Sequence, residues 1–536
     1  MITYPVALRR MKKRRSECMG KSVLNVYLYK HLPHNVMELK LSFFQRGGFL
    51  LVLCGMLLGA CMNDDEYSMS PADRLAFSAD TVSFDTVFSG QPTTTSSFEV
   101  YNPTRKSIRL KNVYLEGEGN SVFRVNVDGV FLENGRLSGA EVEIPARDSI
   151  RIFVMANIAD QGTSDVKKWE DKLVLQTEGG AEDRIVLEAC SQDARRLNAL
   201  VLDKDTVFSS VLPYIVKDSL VVDENATLTL PAGCRLFFSA GASLIVRGTL
   251  HAEGTLTAKV LMRGERTDYM FPNQPYDRVP GQWGGVVFKA ESHDNRLNFC
   301  DIHSGENGIR CEGGDDISQE KLRMENTILH NMSGDGLYAK ASKVFVGNSQ
   351  ITNCGGNCVT LLGGDNTFVH ATIGNFYVFA GGRGKALHYS NYMGEEVVPL
   401  NKASFLNCIV TGYSDDEIIG DASAEHADAP FEFFFQNCLL DTPPVEDERI
   451  VNCFWDRKKD GNEVWREDNF SPAFDLKRLI FSFTLNAKSQ AVGNADVAIS
   501  RQYYPTDMNG KSRLDGDASD IGCLQHLEAE EGSEEK

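Results

Sequence analysis

Short stretches in which apolar and polar residues alternate fill the chain from residue 75 to residue 192. Residues 123–127 and 150–154 both show this alternation, and turn-forming residues separate such stretches. Because successive side chains of a strand point to opposite faces, the alternation indicates half-buried strands. Strands at short intervals without a helical period predict a β-sandwich over 75–192.

Beyond residue 214 the apolar positions follow a longer repeat, with a basic period of 22 residues and several inserts. Equivalent apolar positions, one per repeat, are Ile302, Leu329, Ile351, Ile373, Val410 and Leu440. Self-similarity at such a period is typical of a solenoid, in which equivalent side chains stack about 4.8 Å apart. The pattern therefore predicts an all-β protein, a sandwich followed by a parallel β-solenoid.

Two further columns accompany the apolar one. Three residues before it stand Asn326, Asn348, Asn407 and Asn437, for which we expect a ladder of stacked amides joined by hydrogen bonds. Two residues before it every position is small, and several are cysteines. Cysteine at an inward position acts as a small apolar residue, so we expect these thiols to be free.

These patterns predict the following domain organisation. The ranges are 1–60, a signal peptide; 61–74, a linker; 75–192, the sandwich; 193–213, a second linker; 214–527, the solenoid; and 528–536, an acidic tail.

The amino-terminal range resembles a bacterial lipoprotein signal. The apolar run 49–60 is too short to span a membrane, and Leu58-Gly59-Ala60-Cys61 looks like a lipobox. The resemblance implies a lipid on Cys61 that anchors the protein to the outer membrane. Met37 is an alternative start, which would leave 1–36 outside the protein. The acidic residues 64–66 are similar to the surface-export tag of Bacteroidetes-type lipoproteins, or they form a solvated linker. The anchored protein is therefore expected either on the cell surface or on the periplasmic face of the outer membrane.

The charge excludes one class of partner. The net charge is −19, but from residue 61 onward 45 Lys and Arg stand against 72 Asp and Glu. Such a body repels a phosphate backbone, so we expect no nucleic-acid partner.

Three parts of the chain resemble known families. Residues 97–103 and 144–149 resemble segments of immunoglobulin-like modules of the ASPM/SPD-2/hydin type, which implies a spacer or binding module. Segments 215–250 and 281–288 look like the first coils of right-handed parallel β-helices of the pectin-lyase-like superfamily. Segment 507–525 is similar to the closing coil of such proteins, which implies that Arg513 pairs with Asp507 or Asp520.

The search for catalytic residues leaves two candidate clusters. His303 and His330 share one column and should stack, with Asp301 and Gln350 on the same face, as an acid/base or ligand-binding pair. The pectin-lyase-like resemblance implies a second candidate, a polysaccharide lyase or glycoside hydrolase, for which Arg383, Lys385 and His388 match the residues a lyase needs. Each cluster is also compatible with ordinary surface residues.

Aromatic residues on two inserts give a better indication of binding. They are Tyr269, Phe271, Tyr276 and Trp283 on one insert, and Tyr389 and Tyr392 on the other. Rings on loops that leave a rigid scaffold commonly contact sugars or proteins, although they also fold back as lids. We expect a non-enzymatic scaffold that binds a polysaccharide or protein, with an enzyme or a purely structural envelope component as alternatives. No metal site or cofactor is expected, and calcium has no support in the sequence.

Overall fold

The computed structural model describes residues 67–138, 142–271, 273–314, 316–458, 464–516 and 518–526. Cys61, the lipobox and the expected acidic tail lie outside these residues. None of the described helices is long and apolar enough to cross a membrane.

The first domain is a β-sandwich. Its strands are β1 (Ala76–Phe77), β2 (Thr81–Phe88), β3 (Ser96–Tyr101), β4 (Ile108–Leu115), β5 (Phe123–Val127), β6 (Val130–Phe131), β7 (Arg136–Ser138), β8 (Glu143–Ile144), β9 (Ser149–Ala156), β10 (Lys167–Thr177) and β11 (Glu182–Gln192).

The sandwich strands form two sheets. One sheet has the order β1-β3-β9-β5-β6, and the other has the order β2-β11-β10-β4-β7, with β8 beside β4. The apolar positions of the alternating stretches are buried between the sheets, as at Val100, Val113 and Leu175. Tyr67 forms a β-bridge with Ser107, so the expected linker 61–74 in part belongs to the sandwich.

The second domain contains the remaining strands. They are β12 (Arg195–Leu202), β13 (Thr206–Val207), β14 (Tyr214–Val222), β15 (Thr227–Pro231), β16 (Arg235–Phe238), β17 (Ser243–Val246), β18 (Thr249–Glu253), β19 (Val260–Gly264), β20 (Tyr269–Phe271), β21 (Gln274–Pro275), β22 (Gly285–Phe288), β23 (Asn295–Asn298), β24 (Cys300–His303), β25 (Ile309–Cys311), β26 (Glu320–Glu325), β27 (Ile328–Met332), β28 (Leu337–Lys340), β29 (Lys343–Gly347), β30 (Gln350–Cys354), β31 (Val359–Leu362), β32 (Gly364–Val369), β33 (Thr372–Asn375), β34 (Leu387–Ser390), β35 (Tyr392–Met393), β36 (Glu396–Val397), β37 (Leu400–Leu406), β38 (Ile409–Gly412), β39 (Ile418–Asp421), β40 (Phe431–Gln436), β41 (Leu439–Leu440), β42 (Ile450–Val451) and β43 (Phe454–Trp455).

Parallel pairing joins these strands into a β-helix. A typical rung supplies three strands, such as β24, β25 and β26, which pair in parallel with β27, β28 and β29 of the next rung. The stack begins earlier than the sequence predicts, because β12 already pairs in parallel with β14. The expected linker 193–213 is therefore wrong in that part, and Arg195–Leu202 is the first strand of the β-helix.

The predicted rung register is confirmed at every step. Ile302 pairs with Leu329, which pairs with Ile351, and the series continues through Ile373 and Val410 to Leu440. All six side chains are buried in one core. The cysteines described by the structure are free, as the inward column predicts.

The asparagine column has a conformational cause that the sequence pattern does not show. Asn326, Asn348, Asn407 and Asn437 all have a positive φ of 49–53°. Asparagine tolerates this left-handed conformation better than most residues, so each corner favours it. The amide ladder is partial, since Asn348 donates to Asn326 at 2.7 Å but His370 stands between Asn348 and Asn407.

The carboxy-terminal segment, with its short helix α1 (Val497–Tyr503), packs along this column. Arg513 is buried and donates to Gln525 Oε1 at 2.9 Å and to Asn348 Oδ1 at 3.0 Å. Of the expected partners, Asp520 accepts from Arg513 through its backbone carbonyl at 3.2 Å, and the side-chain acceptors are two amides instead of a carboxylate. Burial lowers the pKa of Arg513 to about 10.

The sandwich contacts the first rungs of the β-helix directly. The Phe88 and Phe237 rings meet edge to face with centroids 4.8 Å apart, and Ile215 packs beside them. Arg196 of β12 donates to the backbone oxygen of Ser89. These contacts place the sandwich beside the loop that leaves β19.

Candidate functional site

A column of polar residues follows the buried apolar column by one position. In strand order it contains His303, His330, Thr352, Gly374, Thr411, Asp441 and Asp456. Because neighbouring side chains of a strand point to opposite faces, this column points away from the core of the β-helix. Loops nevertheless cover much of it, since Thr352, Thr411 and Asp441 are buried.

The start of the column holds an ionisable cluster. His303 and His330 are neighbours in the column, and their imidazoles lie with centroids 4.7 Å apart and planes tilted by 33°. Asp301 lies between them, with its Oδ1 2.8 Å from His303 Nδ1 and 3.3 Å from His330 Nε2. The loop after β19 brings Asp277 Oδ1 to 3.0 Å from His303 Nε2, and Asp277 is paired with Arg263.

The electrostatics of this cluster follow from burial and opposite charge. Burial alone would lower the pKa of His303, but attraction to Asp301 and hydrogen bonds to Asp277 and Asp301 raise that pKa to about 9. Burial would raise the pKa of Asp301, but the two imidazoles hold it well below its ordinary range. The side chains of His330 and Asp301 keep 23% and 30% of their surface exposed, so solvent reaches the column here.

The far end of the column is a closed charge network. Asp441 and Asp456 occupy successive rungs and are buried, and Glu417 is buried next to them. Burial raises the pKa of all three carboxyls, that of Asp441 to about 7. Arg466 lies 3.2 Å from Asp441 Oδ2, and Asn469 donates to Asp456 Oδ1 at 2.8 Å.

A cleft of about 830 Å³ opens between the sandwich and the loop after β19. One wall is formed by residues of β2 and by 91–96, which end in the polar stretch 93–96 that leads into β3, and the other wall is formed by 265–270 and Tyr276. The Tyr269 ring is 52% exposed, on a hairpin formed by β20 and β21. Arg266 stacks 3.4 Å from the centre of the Tyr276 ring, which orients that side of the cleft.

The predicted binding aromatics of the first insert differ in their exposure. Tyr269 and Phe271 are exposed on the hairpin, and Tyr269 lines the cleft with Tyr276. Trp283 is instead fully buried, because its indole stacks on Phe238 with centroids 4.3 Å apart and donates to the His303 carbonyl. The expectation that Trp283 meets a ligand is therefore wrong.

The two predicted binding tyrosines of the second insert are largely covered. Tyr389 is buried and stacks against Phe431, so this predicted binding residue belongs to the core. Tyr392 is half-buried and donates its hydroxyl to Asp421 at 2.7 Å. Both rings fold back onto the β-helix.

The predicted lyase residues are engaged in the protein's own contacts. Arg383 Nη2 lies 3.0 Å from Glu417 Oε1, and Lys385 Nζ donates to the Asp416 carbonyl at 2.5 Å. His388 is half-buried, and burial lowers its pKa. The structure commits both cations to internal partners.

Sequence reasoning missed Asp277, Arg263, Asp441 and Asp456. Asp277 lies on an insert without a repeat partner, so no spacing relates it to His303. Asp441 was recoverable, since it directly follows the aligned Leu440 and so occupies the histidine column. Gln350 shares a column with Asp301 as expected, but its amide donates to Thr352 and lies outside the histidine cluster.

Comparison with known families supports the architecture. Residues 216–376 match the family model described as a right-handed β-helix region. The chain carries a right-handed β-helix. No curated protein matches the chain.

Two solved structures resemble parts of the chain. The ASH/PapD-like domain 7 of human CEP192 is 12% identical over 23% of this chain and 89% of that one, with a TM-score of 0.16. The catalytic unit of a thermostable GH87 α-1,3-glucanase from Streptomyces thermodiastaticus strain HF3-3 is 12% identical over 67% of this chain and 87% of that one, with a TM-score of 0.19. At these values neither likeness supports a functional argument.

Proposed function

We propose that this protein is an exported, lipid-anchored β-helical protein that binds a neutral glycan. The cleft between the sandwich and the loop after β19 carries the proposal, because the exposed Tyr269 lines it together with hydroxyl-bearing residues of the sandwich. Its volume of about 830 Å³ suits a short stretch of a polysaccharide.

The chemistry of the cleft matches that of a sugar ring. The apolar face of a sugar packs on an aromatic ring, and its hydroxyls exchange hydrogen bonds with side-chain hydroxyls, amides and carboxylates. Tyr269 offers the ring, while Gln91 and the threonines in 93–96 offer the polar partners. The two walls come from different domains, so binding depends on the contact between them.

The charge of the cleft favours a neutral glycan over a polyuronate. Asp85, Glu265 and Asp268 line it against the single cation Arg266 among its described lining residues. Arg266 is further neutralised by Asp268, at 2.9 Å from Nε to Oδ1. A uronate carboxylate would therefore meet excess negative charge.

The lyase alternative is less well supported. It needs a cation that can reach the substrate's α-proton, whereas Arg383 and Lys385 are bonded to Glu417 and the Asp416 backbone. A protein ligand in the same cleft would also use Tyr269, so the proposed experiment includes both classes of ligand.

The binding test uses the chain from residue 62 onward on arrays of neutral, acidic and amino-sugar glycans and of matrix proteins. We expect neutral glycans to bind, and Tyr269→Ala to weaken binding about tenfold or more in calorimetry, as for loss of one central aromatic contact. Phe379→Ala is the matched control, since that ring is also exposed but lies away from the cleft. Binding to uronates alone, or equal effects of the two substitutions, would contradict the proposal.

The anchoring proposal is supported by the lipobox around Cys61. Cys61→Ser should move the protein from the membrane fraction to the soluble fraction and abolish incorporation of labelled palmitate. Unchanged fractionation and labelling would refute the anchor without affecting the glycan proposal.

A further inference from the structure

The cluster at the start of the polar column has the composition of a transition-metal site. Among the described residues, Asp301, His303 and His330 form a group whose potential ligand atoms all lie within 4.8 Å of one another. Two imidazole nitrogens and one carboxylate oxygen are the ligand types that Zn²⁺ takes most often besides thiolate.

The distances between these ligand atoms fit one ion. A tetrahedral ion with bonds of about 2.0–2.1 Å keeps its ligand atoms about 3.4 Å apart. Asp301 Oδ1 lies 3.3 Å from His330 Nε2 and 2.8 Å from His303 Nδ1, and the two imidazoles offer nitrogens within 4.8 Å of each other. Side-chain shifts of about 1 Å would bring the three atoms to the separations that one tetrahedral ion needs. Adjacent rungs fix both histidines, because His303 and His330 are register partners.

The other nitrogen of His303 already has the partner that metal-bound histidines require. Its Nε2 lies 3.0 Å from Asp277 Oδ1, and Arg263 Nη1 pairs with the same oxygen. A carboxylate that accepts from Nε2 fixes the ring and directs Nδ1 toward the metal, which would take the place of the Nδ1 proton shared with Asp301 Oδ1 at 2.8 Å. Trp283, which donates to the His303 carbonyl at 2.8 Å, fixes the backbone beneath the ring.

We propose that Asp301, His303 and His330 bind one divalent transition-metal ion of the Zn²⁺ type, with Asp277 as the outer partner of His303. Imidazole ligands favour Zn²⁺, Co²⁺, Ni²⁺ or Cu²⁺ over Ca²⁺ and Mg²⁺, which prefer sites built of oxygen. Because His330 and Asp301 are partly exposed, a fourth coordination position faces solvent. Three protein ligands and one open position are the arrangement of zinc sites that bind an exogenous ligand.

The proposal is independent of the glycan site. It rests on residues of β24 and β27 and on Asp277, none of which lines the cleft, although Asp277 directly follows the cleft residue Tyr276 on the loop after β19. Tyr269→Ala and His330→Ala therefore test the two sites separately. Failure of either experiment therefore leaves the other proposal standing.

The test measures binding of Zn²⁺ and Co²⁺ chloride to the full-length chain after treatment with a chelator. We expect one equivalent of Zn²⁺ by calorimetry and elemental analysis, and for Co²⁺ the visible absorption of a four-coordinate ion. His330→Ala should abolish both signals. Asp277→Asn should leave the stoichiometry at one and weaken binding by about 10–100-fold, the usual effect of losing an outer partner.

His251→Ala is the matched control, because this histidine is also partly exposed but lies on β18 in the other sheet. Circular dichroism checks that each variant is folded. X-ray absorption at the zinc edge of the unaltered protein tests the ligands without any substitution, and we expect two imidazoles. Absence of binding, a shell of oxygen alone, or retained binding in His330→Ala would overturn the proposal.

Discussion

The buried carboxyl of Asp441 gives a stability prediction with a definite sign. This side chain has no exposed surface, and its Oδ1 accepts no hydrogen bond from the described residues. Burial and the neighbouring Asp456 carboxyl raise its pKa to about 7 against the attraction of Arg466 and Arg457. Asp441→Asn keeps the shape of the side chain and removes its titration.

The magnitude follows from the difference between folded and unfolded chains. The unfolded carboxyl releases its proton near pH 3.9, whereas the folded one keeps it to about pH 7, so between these values the native state binds more protons. The contribution of Asp441 to the free energy of unfolding therefore falls as the pH rises through this window. Each unit of pKa difference between the folded and the unfolded chain changes the free energy of unfolding by about 1.4 kcal/mol. A difference of about three units therefore gives a change of up to about 4 kcal/mol.

The assay is urea denaturation between pH 4 and pH 8, followed by tryptophan fluorescence, since Trp455 and Trp465 flank this network. We expect Asp441→Asn to gain stability relative to the unaltered protein as the pH rises, and to do so mainly below pH 7. Asp447→Asn is the control, because Arg449 lowers the pKa of Asp447 to about 2, and its effect should not change in this window. The quantity to compare is the free energy of unfolding of Asp441→Asn minus that of the unaltered protein. If this quantity stays constant or decreases as the pH rises, the reasoning is refuted.

Two further predictions concern the packing of the β-helix. Trp283→Ala should lower the free energy of unfolding by about 3–5 kcal/mol, the cost of truncating a buried aromatic residue, whereas Tyr269→Ala should leave thermal stability unchanged. Asn407→Ala and Asn407→Gly both remove the side-chain hydrogen bonds to the Asp496 backbone, and position 407 has a φ of 53°. The glycine variant should be about 1 kcal/mol more stable than the alanine variant, because glycine adopts this φ without strain. Equal melting of the two Asn407 variants would show that the backbone conformation is not the cause of the column.

The rung register was predictable because it depends on a repeated physical requirement. Each rung must bury one apolar side chain at the same place, so the spacing from Ile302 to Leu440 records the fold directly. The positions of the asparagine column were predictable, but the reason for asparagine at these positions was not. A positive φ at Asn326 or Asn437 belongs to the backbone, and in sequence it is indistinguishable from a hydrogen-bonding role.

The site residues were less predictable because they depend on inserts. Trp283 lies in an aromatic-rich insert, which suggested exposure, yet the ring occupies the core position beside Phe238. Asp277 reaches His303 only through the path of the loop after β19, which no periodicity describes. Gln525 accepts from Arg513 where the resemblance implied an acidic partner, because an amide oxygen meets the same geometric need.

The polar column shows how one repeated position acquires two different environments. The rungs place His330 and Asp441 equivalently, so the difference between them comes from what covers each. Near His330 the loop after β19 supplies Asp277 and leaves the imidazole partly open, whereas near Asp441 the segment after Val464 supplies Arg466 and closes the network. The inserts that cover the column, more than the rungs themselves, therefore determine where the β-helix can bind a ligand.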